Sequence, residues 1–131
     1  MRILVGFDGS QASRRALLHA AELVGRGGTL DVINVIGAQP VSARVDSLGD
    51  RTRRAQREAL HEARALLGEW DVRMTPRAAV GDPTSEIRTA AEESGARVIV
   101  VGRGSGLRRL IDGSVSARLV RRAPCDVLVV R

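Results

Sequence analysis

Five short runs rich in valine, isoleucine and leucine recur along the 131-residue chain, and the first four lead through a turn or loop into a stretch with helical spacing. Strands that are apolar on both faces and alternate with helices demand a parallel sheet covered on two sides, because each connection must carry the chain back before the next strand begins. This alternation constrains the fold more than any single motif.

The runs are Arg2 to Phe7, Thr29 to Gly37, Trp70 to Val80, Arg97 to Gly102 and Cys125 to Arg131. Asn34 is read as the one polar interruption of the second. Pro76 in the third would forfeit a ladder hydrogen bond, which places that strand at a sheet edge. Between the runs, Ala12, Ala16, Leu17, Ala20, Leu23 and Val24 recur at helical spacing from Gln11 to about Arg26, where "GRGG" stops the pattern. Leu48, Thr52, Ala55, Ala59, Ala63 and Leu66 share one face of a longer helix. Asp82 as cap, Pro83 in the first turn and Gly95 as stop delimit a third, and Ser114 to about Arg122 forms a fourth. The expectation is an α/β fold with a doubly wound, five-stranded parallel sheet in the order 3-2-1-4-5, helices on both faces, and one domain over 1–131. That order sets the C-terminal ends of strands 1 and 4 side by side at a switch point, where such sheets bind ligands. The loops there are "FDGS" and "GRGSGLRRLIDGS".

Composition narrows the chemistry. All 21 basic residues are arginine, so a Walker A loop, a Schiff base and a pyridoxal site, each needing a lysine, are excluded. Cys125 is the single cysteine, which leaves no disulfide or CxxC pair within the chain and points to the reducing cytoplasm. It begins a strand, where burial makes a thiol inert. No run approaches a membrane span or a signal peptide, so the expectation is a soluble, unprocessed protein without a membrane partner. A net charge of +6 with pI near 11.4 is spread along the chain, and one Phe, one Trp and no Tyr offer few surfaces for base stacking; these features argue against nucleic acid as partner. His19 and His61 lie inside helices, away from any acid cluster, and no Ser-His-Asp set or metal site can be assembled.

At the switch point, Gly113, Ser114 and Val115 open a helix whose unpaired N–H groups and partial positive charge suit a phosphate, with the Ser114 or Ser116 hydroxyl adding a bond. The same serine serves equally as an ordinary helix cap. Asp8 stands where strand 1 reaches the ligand edge. It can accept from a ribose hydroxyl or an adenine amine, or simply close a turn.

"ILVGFDGS", "GDPTSEI", "ARVIVVGRG" and "LRRLIDGSVSARLVRRAPCDVLVVR" together resemble the universal stress protein family over the whole chain. The resemblance implies an adenine nucleotide alpha hydrolase-like fold and a small cytoplasmic stress-response regulator. It also implies an ATP cofactor, with magnesium as companion ion. By position, Asp8 and Val35 become the adenosine contacts, and Gly102, Gly104, Gly113, Ser114 and Val115 surround the phosphates. Asn34 stands where many relatives carry histidine. The glycine loop is two residues shorter than the family pattern: ten residues separate Gly102 from Gly113. Asp112 sets a carboxylate beside the phosphates, which Arg103, Arg108 and Arg109 are close enough in sequence to offset.

Two functions are therefore expected to compete. One is an ATP-binding module that acts through dimerisation and regulatory protein partners. The other is a nucleotide-free dimer in which the shortened loop is only a bend. In both, the apolar C-terminal strand is an edge that pairs as a homodimer. Catalysis is expected to go no further than slow ATP hydrolysis or autophosphorylation on Ser114 or Ser116, since no general base is visible.

Overall fold

The computed structural model describes residues 1–37, 46–103 and 113–131; the side chains at 46–48 and 113–114 are not among those described. Its elements run β1 (Arg2–Gly6), α1 (Gln11–Val24), β2 (Gly28–Ile36), α2 (Asp46–Leu66), β3 (Val72–Val80), α3 (Pro83–Ser94), β4 (Val98–Gly102), α4 (Gly113–Arg122) and β5 (Asp126–Val130). The strands form one all-parallel sheet in the order β3-β2-β1-β4-β5, as the alternating pattern requires.

Alternate residues of each central strand enter different cores. Ile3, Val5, Leu30, Val32 and Val100 face α1 and α2, whereas Leu4, Ile33, Val35, Ile99 and Val101 face α3 and α4. Each of these large side chains contributes about 1.5–3 kcal/mol by leaving water, so the two layers hold the sheet from both sides. The exposed edges behave differently. In β3, Val72 and Met74 pack toward α2 and Ala79 packs toward α3. Each end of the strand is thus covered on a different face, and this is why its sequence alternates poorly. Pro76 lies on this edge strand, where its missing N–H costs least.

Local signals placed the helices well. Ser10 caps α1 by accepting from Ser13 N–H, and Asp82 caps α3 by accepting from Ser85 N–H, with Pro83 at the first position and Gly95 left-handed at the end. Three expectations need correction. The face of α2 against the sheet carries Gln56, Leu60 and Ala63, with the expected Ala59 and Leu66 half-buried beside them and Ala55 exposed, so the buried stripe is offset from the face read in sequence toward Gln56 and Leu60. Leu23 is exposed on α1. Cys125 precedes β5 and is half-buried.

The second strand also holds a charge that the sequence reading passed over. Asp31 is fully buried and receives Arg2 Nε and Nη2 at 3.2 Å each, with Arg77 Nε at 3.7 Å. Arg77 reaches on to Glu93 on α3 at 3.1 Å. A buried carboxylate needs such charged partners to offset its lost hydration. Here it ties β1, β2, β3 and α3 together at a level below the ligand edge.

Candidate functional site

The switch point lies where β1 and β4 end side by side. β1 pairs with β2 only as far as Gly6 with Ile33, and with β4 as far as Val5 with Val100. Past Gly6 the chain leaves the sheet through Phe7, Asp8 and Gly9 into α1. Gly9 has φ +85°, a conformation that suits glycine. Asp8 Oδ1 accepts from Ser10 N–H at 2.8 Å and so closes the turn.

β2 continues for three residues beyond its last β1 partner while still paired with β3. In a parallel ladder the N–H and C=O of one residue face the same neighbour, and those of the next residue face the other side. The Ile33 carbonyl accepts from Phe7 N–H at 2.9 Å and the Ile36 carbonyl from Gly81 N–H at 2.9 Å. Ile33 therefore faces β1, Ile36 faces β3, and Val35 faces the side that β1 has left. The Phe7 carbonyl, which would have continued the ladder to Val35, is taken by Asn34 Nδ2 at 2.9 Å. Since the Val35 side chain is buried toward α3 and α4, what Val35 offers the ligand edge is its peptide N–H and C=O.

A cavity of about 430 Å³ opens there, lined by Asp8, Arg14, Val35, Thr52, Gln56 and Glu62, among others. Its outer wall is α2. Gln56, nearly fully buried, fixes that wall by donating Nε2 to the Asn34 carbonyl at 2.7 Å and the Ala79 carbonyl at 3.0 Å. Arg14 of α1 meets Glu62 of α2 at 2.6 Å across the rim. With Asp8, Glu58 and Glu62 against Arg14, the lining is net acidic among the described residues. It suits a neutral group rich in hydrogen-bond donors better than a phosphate.

The residues expected from sequence are placed as follows. Asp8 and Val35 line the same cavity. Gly102 ends β4 and is buried, but its demand for glycine comes from α1: an added Cβ would lie 2.5 Å from Ala12 C and 2.7 Å from both Ala12 O and Ser13 N. α4 begins at Gly113, which sets Ser114 inside the first turn, and Val115 is buried in the α3–α4 core. Ser116, in the same turn, is 6% exposed, and its Oγ has no hydrogen-bond partner among the described residues. Gly104, Arg108, Arg109 and Asp112 lie outside the described residues.

Sequence reasoning missed Gln56, Ser13 and the Arg14–Glu62 pair, because their partners are contributed by distant segments or by backbone. Burial, then the neighbouring Asp126 charge, pushes the Cys125 thiol up from its ordinary value, consistent with an inert side chain. Among the described residues no group of three His, Cys, Asp or Glu could hold a metal ion, and no helix is long and apolar enough to cross a membrane.

Comparison with known proteins agrees with this architecture. A universal stress protein of Methanocaldococcus jannaschii is 30% identical over 139 residues, covering 99% of this chain and 81% of the relative. One from Bacillus subtilis is 32% identical over 145 residues, covering 99% and 98%. The crystal structure of a universal stress protein in complex with cAMP superposes with a TM-score of 0.67 at 30% identity, covering 100% of this chain and 97% of the other. The model of the universal stress protein family matches residues 1–131, and the chain belongs to that family.

Proposed function

We propose that this protein is a stress-response regulatory module that binds an adenine nucleotide, ATP in the first instance, at the switch point between β1 and β4. The observation that carries the reading is the Val35 peptide edge, left open where β2 outruns β1. An N–H beside a C=O matches the ring-nitrogen acceptor and exocyclic amine donor of adenine. Guanine presents the opposite polarity along that edge. Asp8 then accepts from a ribose hydroxyl, as its Oδ1 alone is used within the turn.

The phosphates are proposed to run toward the first turn of α4, where backbone N–H groups and the helix dipole favour an anion. The buried, unpartnered Ser116 hydroxyl fits that role, since a buried polar group without a partner costs about 1–3 kcal/mol that a phosphate oxygen would recover. The related protein solved with cAMP holds a ligand of the same adenine class.

Dimerisation is proposed through β5. It is an edge strand with Leu128 39% exposed, and an open apolar edge favours pairing with a second copy. Protein partners would then read the dimer in its nucleotide-loaded form.

The test is acid release and chromatography of nucleotide from purified protein, with calorimetric titration by Mg-ATP, cAMP and Mg-GTP. Adenine nucleotides are expected to bind and GTP to fail. No release, and no heat with any of them at millimolar concentration, would leave the nucleotide-free dimer standing. In sedimentation, Leu128→Asp is expected to turn a dimer into a folded monomer; a wild-type monomer would refute the pairing.

A further inference from the structure

We propose that Ser13 is the residue that positions Asp8 for the nucleoside, and that Gly102 is the seat holding Ser13's turn in place. The proposal rests on the nucleotide reading above and names residues of that site which the glycine pattern does not supply.

Ser13 is 1% exposed, in the first turn of α1. Its N–H donates to Ser10 Oγ at 3.2 Å, which already caps the helix. The hydroxyl is therefore not needed as a cap. It donates instead to the Ser10 carbonyl at 3.0 Å and accepts from Asp8 N–H at 3.3 Å, reaching back five residues. Asp8 is thus held at both ends, its N–H by Ser13 and its Oδ1 by Ser10 N–H. Within the turn Oδ2 accepts nothing. A carboxylate fixed in this way loses little rotamer freedom when a ribose or amine binds.

Gly102 enters from the other strand of the switch point. With an added Cβ only 2.7 Å from Ser13 N and 2.5 Å from Ala12 C, any side chain at 102 must push the first turn of α1 away. Asp8 would move with it. The glycine that ends β4 thereby acts on the nucleoside half of the site through Ser13.

Adenosine separates this role from phosphate binding, because it carries no phosphate. Ser13→Ala and Gly102→Ala are expected to weaken adenosine and ATP by the same factor, about tenfold. Ser13→Cys fills the space of the hydroxyl with a weak acceptor and is expected to lose nearly as much, which separates the lost bond from a cavity. Ser94→Ala, at the far end of α3, is expected to change neither affinity. Hydrogen exchange gives a readout independent of ligand: the Asp8 amide is expected to exchange at least about tenfold faster in Ser13→Ala, with Leu17 and Val100 unchanged.

Unchanged Asp8 exchange, or a loss of ATP affinity with adenosine spared, would overturn the proposal. Wild-type affinity retained in Ser13→Cys would overturn it too. A wild-type chain that binds neither ligand overturns the nucleotide reading itself, and faster Asp8 exchange in Ser13→Ala would then keep only the structural link between the two residues.

Discussion

α1 and α4 both begin at the ligand edge of the sheet, one after β1 and one after β4, yet their first turns are completed to different degrees. At α1 each polar group has work: Ser10 accepts from Ser13, Ser13 binds both Asp8 and Ser10, and Asp8 binds Ser10. At α4 the Ser116 hydroxyl is buried with no partner among the described residues. The first turn is rigid before a ligand arrives. The second keeps an unmet bond that a ligand can complete; α3 shares one feature with each, being capped by Asp82 yet burying the Thr84 hydroxyl with no partner among the described residues.

Substitutions at the two turns should therefore differ in sign as well as size. The largest effect is expected for Gly102→Ala, which forces a Cβ into the α1 backbone. Chemical unfolding should find it less stable by about 1–3 kcal/mol, the usual cost of overpacking. Stability equal to wild type would mean that the α1 turn yields freely. Asp8→Asn keeps an acceptor for Ser10 but removes the charge that a donor would meet. Its expected cost is about 1.5–2 kcal/mol in nucleotide affinity, read by calorimetry, with little change in folding.

Ser116→Ala provides the sharpest contrast with Ser13→Ala. Removing an unsatisfied hydroxyl is expected to leave stability unchanged or raise it by up to about 1 kcal/mol, while ATP affinity falls and adenosine affinity does not. A clear loss of stability would show that Ser116 already has a bonding partner and would erase the difference between the turns.

The smallest effect concerns the α3 cap. Hydrogen bonds from the Ser85 N–H and hydroxyl, with the Arg118 and Arg122 charges adding, hold the Asp82 carboxyl below its ordinary 3.8. The unfolded chain therefore takes up the proton first, so this contribution is complete above that value and is lost below it, as pH falls through the lower value of the folded state. Because Asp82 is exposed, Asp82→Ala should flatten the acid limb of the stability curve only slightly.

What could be read from sequence follows from how local each cause is. The Asp82, Pro83 and Gly95 signals act within one helix, and both its ends fell where these residues place them. The strand order followed from apolar runs separated by helices. Asp31 was passed over because its partners are Arg2 and Arg77, on neighbouring strands and far along the chain. Gln56 was left out of the α2 stripe because it is buried against two strand carbonyls rather than in the apolar core. Val35 was reached by resemblance alone; its physical reason, a strand that outruns its neighbour, exists only once register is known. Gly102 was read as room for phosphate, whereas the contact that requires a glycine is with α1.

The most direct test of the central claim is an amide-resolved NMR titration of the isotopically labelled protein with adenosine and then with Mg-ATP. Adenosine is expected to shift the amides of Asp8, Gly9 and Val35, and ATP to add Val115 and Ser116. Shifts confined to the cavity of about 300 Å³ beside Trp70 at the opposite end of the sheet, or none at millimolar ligand, would contradict it.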